Sequence, residues 1–530
     1  MTQNVPRVLI ADKMDKLAAE IFQNNGIAVD VKPGLSNEEL IEIVKDYDGV
    51  AVRSATKIKA DVIKAGMPRL KVIGRAGIGV DTIDVPAATE AGVVVMNTPF
   101  GNSITTAEHA IAMMFAVARQ IPQASESTHA GKWEKSRFMG TELYGKTLGV
   151  VGCGNIGSIV ANRALGLQMK VIAFDPFLTE DRARELGVEK GELADVFKRA
   201  DFITLHTPLT DSTRNIIGAA ALASMKKGVR IINCARGGLI DEAALKDALD
   251  SGHVAGAALD VFEEEPATSN ALFGHPNVVC TPHLGASTSE AQVNVAIQVA
   301  EQMSDFLLNG AVANAVNMPS ITAEEAPRLR PYMKLIEQLG SFCGQITEHA
   351  ITKIEIEYHG SAASVNTRPL TALALASILR CLFDGVNMVN APQAAKNRGI
   401  AVSETRVQEA VELPAAIKLT VITEARTRSI TGTLFAGKEP RVVDIEGVPI
   451  EAALSPHMLF IRNEDKPGMI GGLGTLLSEA GQNIADFRLG RIASGGSAVA
   501  LVALDAAVDD RLFDKIKALP QIKQVVRLQF

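Results

Sequence analysis

Three short runs end on residues that could move protons together: "RIINCAR" on Arg236, "LDVFEEE" on Glu265 and "VVCTPH" on His283. A histidine titrates near neutrality and can take or return a proton. A carboxylate bonded to its second ring nitrogen would fix the tautomer and stabilise the imidazolium. An arginine would bind a neighbouring carboxylate through paired N–H bonds and polarise a forming carbonyl. Taken singly, each has a plainer explanation: a loop arginine, a solvated acidic turn from Glu263 to Glu265, a histidine satisfied by backbone. Arg236 strains that explanation, because a guanidinium closing an apolar run is costly to desolvate without an anion. Together the three groups fit one reaction, hydride and proton transfer at a secondary alcohol.

A hydride carrier is legible upstream. "GVVGCGNIGSIVANRALG" sets Gly152, Gly154 and Gly157 in G-x-G-x-x-G register, closing an apolar strand and opening a helix, and Asp175 ends the next strand. Gly152 would allow the tight turn and Gly154 would let backbone approach a pyrophosphate. Gly157 would let the helix pack on the strand. Asp175 would accept hydrogen bonds from the adenosine ribose. Its charge repels a 2′-phosphate, and the following "PFLTED" offers no base to hold one. NAD is expected rather than NADP, the alternative being a glycine turn with no nucleotide. Arg236, Glu265 and His283 would then leave the carboxyl ends of strands, where chemistry belongs in such a sheet.

The elements that must position these groups follow an α/β rhythm. "RVLIAD", "GIAVDV", "GVAVRS", "LKVIGR" and "GVVVMN" read as parallel strands covered on both faces, with helices at 37–44 and 60–65 between them. A long helical pattern from Ser103 ends at Pro122. Six further strands from Lys146 match a doubly wound sheet, and a helix then leads to Gly310. "NMPSITAEEAPRLRP" reads as a linker. Mixed helix and strand follow, and the last stretch has the order βαββαβ, a ferredoxin-like motif.

A net charge of −7 argues against a general nucleic-acid or anionic-membrane binder. The five cysteines are scattered, without a C-x-x-C pair, which points to a reducing compartment with no disulfide and no metal. "MTQNVPRVLIADK" enters a strand at once, so no signal peptide is expected, and no apolar stretch reaches spanning length. A cytoplasmic protein is expected.

"LKVIGRAGIGVDTID", "VVGCGNIG", "ADFITLHTPLTDSTRNIIG", "MKKGVRIINCARGGLIDEAAL", "ALDVFEEEP" and "TPHLGAST" complete the pattern. With these stretches the chain resembles the D-isomer-specific 2-hydroxyacid dehydrogenases, and within them the long forms that oxidise 3-phospho-D-glycerate with NAD to open the route to L-serine. The resemblance implies a Rossmann-like doubly wound nucleotide domain (99–285) inserted in a flavodoxin-like substrate domain (1–98 and 286–315). An α+β intervening domain (316–453) and a ferredoxin-like ACT domain (454–530) would follow. It assigns Arg236, Glu265 and His283 the roles argued above. It also places NAD against Asn155, Ile156, Asp175, His206, Thr207, Pro208, Cys234, Ala235, Asp260, Gly285 and Ala286.

A phosphorylated hydroxyacid needs cations beyond Arg236. Arg53, with Ser54, and Arg75 each follow a strand, and Asn102 and Ser103 could add side chains and helix amides. Cleft-rim salt bridges are the alternative for the two arginines. The family also lends a basic residue across a dimer; here it is Lys135, where many relatives have arginine, so a bidentate clamp becomes a point charge. His109 is expected to pack at the domain junction. ACT domains of the family bind an amino acid at positions matching Asn463, Asp465 and Asn483, which implies L-serine as effector or a purely oligomeric role. A homodimer or homotetramer is expected. The rival readings are another D-2-hydroxyacid reductase, disfavoured by the two C-terminal domains, and an NAD-sensing binder, disfavoured by the intact Arg, Glu and His set.

Overall fold

A computed structural model describes residues 5–321, 325–409 and 413–530. The five apolar runs of the first hundred residues form a parallel sheet: Arg7–Ile10 (β1), Ala28–Val31 (β2), Gly49–Val52 (β3), Val72–Arg75 (β4) and Val94–Met96 (β5), ordered β2-β1-β3-β4-β5. β3 and β5 are buried throughout, as helices on both faces require, whereas the edge strand β2 is largely open to solvent. The distant helix Ser289–Asn309 returns to this sheet, setting Val295, Val299 and Met303 in its core. Gly49 and Gly74 lack side chains where Met303 presses closest. The intervening chain is therefore an insertion.

The inserted sheet is also parallel: Thr147–Val151 (β6), Lys170–Phe174 (β7), Glu189–Lys190 (β8), Phe202–Leu205 (β9), Val229–Asn233 (β10), Val254–Leu259 (β11) and Val278–Cys280 (β12). Its order is β12-β11-β10-β9-β6-β7-β8, so the winding reverses between β6 and β9 and opens a crevice there. Six of these strands match the six apolar runs. β8 is an exposed Glu–Lys pair on the edge, with no apolar run to announce it. Pro122 does not end the long helix. Ser103–Arg119 stops at Gln120, which adopts φ 50°, and Pro122 sits in the first turn of a new helix, Ile121–His129. A proline costs no hydrogen bond there.

The third sheet holds Ile351–Gly360 (β13), Ala401–Val407 (β14), Ala415–Thr423 (β15), Thr427–Phe435 (β16), Glu439–Ile445 (β17) and Val448–Ala452 (β18), ordered β14-β13-β15-β16-β17-β18. The helix Ala326–Gln345 lies on it. The fourth holds His457–Glu464 (β19), Ile484–Arg491 (β20), Ser497–Leu504 (β21) and Ile522–Gln529 (β22), ordered β20-β21-β19-β22, with helices Met469–Glu479 and Asp510–Lys517 on one face. Its other face is not free: Met458, Phe460, Val499 and Leu501 share one core with Leu335 and Phe342 of the third unit.

The expected linker at 317–331 is largely structured. Asn317 accepts from Val95 N (2.9 Å) and donates to Val93 O (2.9 Å), tying the chain to β5. The helix from Ala326 absorbs the later part, with Pro327 in its first turn; 322–324 lie outside the described residues. Asn387 and Asn390 donate to Gly92 O (2.9 Å) and Glu90 O (3.2 Å), fastening the third unit to the first. Among the described residues no helix is long and apolar enough to cross a membrane, and the five cysteines are free thiols.

Candidate active site

β6 runs into Gly152, whose φ of 90° suits glycine. A Cβ on Gly157 would come within 1.9 Å of the Gly152 carbonyl oxygen, so the helix Asn155–Gly166 reaches the strand only without that side chain. A Cβ on Gly154 would meet nothing within 4 Å. Gly154 and Asn155 are exposed at the helix N-terminus, where free N–H groups face outward, and Ile156 is half-buried behind them. Asp175 closes β7 with Oδ2 accepting from Cys153 N (2.9 Å) and Oδ1 from Phe177 N (2.8 Å), which pins it beside the glycine turn. His206, Thr207 and Pro208 leave β9 next to it. His206 Nε2 meets the Thr204 hydroxyl at 2.9 Å, while its buried Nδ1 has no partner among the described residues. Burial pushes this imidazole down to about 3, so it stays neutral. The open cradle at Gly154, the pinned acid and the orphaned ring nitrogen fit NAD.

Asn233 braces the turn after β10: Oδ1 accepts from Ala235 N (3.0 Å) and Nδ2 donates to Arg236 O (2.8 Å). Gly237 is dictated by the protein itself, since a Cβ there would lie 1.7 Å from Phe262 O. Glu265 follows β11. Its Oε1 accepts from Phe262 N (3.1 Å), and its Oε2 lies 2.7 Å from His283 Nδ1. His283 Nε2 has no partner among the described residues, and the side chain is half exposed.

Asp260, fully buried, holds the turn that carries His283. Its Oδ1 accepts from the Thr281 hydroxyl (2.5 Å) and Leu284 N (2.7 Å), and its Oδ2 from Gly285 N (2.8 Å). Its carbonyl accepts from His283 N (2.8 Å), and Ala286 follows, half-buried. His109 sits behind, Nε2 3.2 Å from Asp260 Oδ1. The buried Cys234 joins His109 and Asp260 within 4.8 Å, yet hydrogen bonds already occupy both Asp260 oxygens. Thr281 carries no signal in sequence; only the geometry singles it out.

The Glu265 hydrogen bond raises the His283 pKa above its ordinary value, with the charges of Glu265 and Asp260 adding to it and burial and Arg236 opposing. Burial works against ionised Glu265, but the bond and charge of His283 and the Phe262 N–H hold it below the usual carboxylate range. The pair therefore favours imidazolium and carboxylate.

Arg236 meets protein on two sides. Nη1 donates to Ala235 O (2.7 Å), and Nε donates to Asp81 Oδ2 (3.1 Å) on the loop after β4. Burial, joined by the like charges of Arg236 and Arg53, lowers the Arg75 pKa to about 10. Arg75 Nη1 donates to Ala76 O (2.8 Å), and its Nε is buried without a partner among the described residues. Arg53 is held by its backbone, N to Asp12 Oδ2 at 2.6 Å, while its guanidinium makes only a 3.5 Å contact to Lys13 O. Three guanidiniums within repelling range, with a buried donor to spare, are arranged for an anion.

Ser54 is exposed beside Arg53, and Asn102 is buried with an Oδ1 unpartnered among the described residues. The Ser103 hydroxyl donates to Pro99 O (2.7 Å). Lys135 stands apart, exposed near the exposed Trp133 and Met139, and this chain alone does not bring it to the arginines. The three expected effector positions do not bond one another. Asp465 accepts from Arg491 (2.8 Å) and Gly495 N (3.0 Å), Asn483 donates to Asp505 (2.9 Å), and the buried Asn463 donates to Glu464 O (2.8 Å).

Residues 111–285 match the model for the NAD binding domain of D-isomer specific 2-hydroxyacid dehydrogenases, and residues 328–446 match that for the D-3-phosphoglycerate dehydrogenase intervening domain. The chain is 45% identical to D-3-phosphoglycerate dehydrogenase of Synechocystis, over 98% of this chain and 93% of the relative. It is 41% identical to that of Bacillus subtilis, over 98% of each. Among solved structures, a glyoxylate reductase from Paecilomyes thermophila matches with a TM-score of 0.56 at 31% identity, over 59% of this chain and 99% of its own. Alike along nearly their whole length to such relatives, these residues show that the chain belongs to the D-3-phosphoglycerate dehydrogenases, a branch of the D-isomer specific 2-hydroxyacid dehydrogenases.

Proposed function

We propose that the chain oxidises 3-phospho-D-glycerate to 3-phosphohydroxypyruvate, the opening step of the phosphorylated route to L-serine, with His283, Glu265 and Arg236 carrying the chemistry. The observation behind this reading is the 2.7 Å His283–Glu265 contact, with Arg236 close by and both Arg236 and Arg53 within repelling range of Arg75. Bound NAD, cradled at Gly152 to Gly157 and Asp175, supplies the hydride acceptor. His283 Nε2 takes the hydroxyl proton while the C2 hydrogen leaves as hydride and the C2–O bond becomes a carbonyl. Glu265 stabilises the imidazolium through Nδ1. Arg236 binds the substrate carboxylate, and Arg53 and Arg75, with Ser54, Asn102 and Ser103 at the rim, bind the phosphate.

The domain limits given above accompany this reading. The exposed Trp133 and Met139 support a homo-oligomer, in which Lys135 would serve a second subunit. Serine at the Asn463–Asp465 turn would have to displace Arg491 from Asp465.

The test is NADH formation with 3-phosphoglycerate, glycerate and D-lactate in parallel, on wild type and Arg236→Ala. Phosphoglycerate alone should turn over well, and the variant should lose turnover while keeping its NAD affinity. Preference for glycerate would remove the phosphate site, and silence with all three would remove the enzyme reading. Calorimetric titration with L-serine decides the effector, absence of heat removing it.

A further inference from the structure

Asp81 presents a problem of sign: it is an exposed carboxylate, 69% open to solvent, standing where an anionic substrate should bind. Its sole hydrogen bond among the described residues is to Arg236 Nε, at 3.1 Å. Asp81 belongs to the first sheet's lobe and Arg236 to the second, so this contact spans the cleft. Two alternatives follow. Asp81 could imitate the substrate carboxylate and compete for Arg236, or it could hold Arg236 in place.

The geometry favours holding. A competing carboxylate would engage two N–H groups of the fork in parallel, whereas Asp81 takes Nε alone. Nη1 is fixed separately by Ala235 O at 2.7 Å. Nη2 lies so close to Gly79 that a Cβ there would come within 1.8 Å of it. Arg75 meanwhile sets a like charge within range of the same guanidinium. Without an anchoring acid, a long flexible side chain would swing away from that repulsion.

We propose that Asp81 is a positioning residue that sets the Arg236 fork across the cleft. The proposal rests on the reading of Arg236 as the carboxylate binder. Misplacing a binding group by about 1 Å can cost about 100-fold. Asp81→Asn should therefore lower kcat/KM for 3-phosphoglycerate by about 10- to 100-fold, leave NAD affinity unchanged, and be partly rescued in Asp81→Glu. Gly79→Ala, whose Cβ would crowd both Arg236 Nη2 (1.8 Å) and Asp81 Oδ2 (2.7 Å) and so break their contact, should show the same loss. Asp81→Asn added to Arg236→Ala should cost nothing more, whereas a merely structural role would add its own loss.

A lowered KM in Asp81→Asn would show competition and overturn the proposal, and so would an unchanged kcat/KM or an additive double variant. Arg236→Ala run alongside separates the two claims. If it stays active the underlying reading fails; if it is inactive while Asp81→Asn is normal, only the positioning role fails.

Discussion

His283 accepts a proton only when neutral, and Glu265 makes that state harder to reach. Because the bond to Glu265 raises the histidine pKa, kcat/KM for oxidation should fall as pH drops through an inflection above the ordinary value of about 6.5. The reverse reduction, which needs the imidazolium, should be lost as pH rises through the same point. Glu265→Gln removes the raising charge, so its inflection should move towards acid, with kcat reduced because the tautomer is no longer held. A pH–rate profile in both directions checks this; an unmoved inflection would detach Glu265 from the proton transfer. Removing His283 itself should cost about 10²–10⁴-fold. The same scale shows where residue types alone fall short. The anion owed to Arg236 was legible, but its protein partner, Asp81, is 155 positions away and carries the wrong sign for an anion site.

The strand–turn–helix from β6 was readable in outline, since three spaced glycines between an apolar run and a helix have few other uses. The contacts sharpen which glycine does what. Gly157 faces the Gly152 carbonyl at a distance no side chain tolerates, and Gly154 faces open space. Gly157→Ala should thus push the helix from the strand, costing about 1–3 kcal/mol of stability and weakening NAD binding by at least about tenfold, while Gly154→Ala leaves stability alone. Denaturant melts with NAD titrations would show it, and equal melts for the two would refute the packing role. Pro122 is the converse case. The helical pattern in sequence ends at Pro122, whereas the left-handed Gln120 marks where one helix ends and the next begins.

Over the whole molecule, the C-terminal half is less modular than its motifs suggest. The βαββαβ unit covers one sheet face with its own helices, but the other face is closed by the preceding unit, where Phe460 stacks edge-on against Phe342 at 5.4 Å. Gln345 and Gln529 add a reciprocal pair: Gln345 donates to Gln529 O at 2.9 Å and accepts from Gln529 N at 2.8 Å. Phe460→Ala should cost about 3–5 kcal/mol and lower one shared melting transition for both units. Calorimetry showing two separate transitions, with only the last unit affected, would refute the common core.

Local patterning by itself determined the α/β rhythm, the nucleotide turn, the βαββαβ order and the types of the candidate site residues, because apolar period, glycine spacing and strand-end position are carried by neighbouring residues. Tertiary structure alone decided what depends on distant segments meeting. Asp260 grips the His283 turn, Asp81 reaches Arg236 across the cleft, and the last sheet borrows its second cover. A side chain's partner is set by how sheets and lobes pack, which spacing along the chain does not encode.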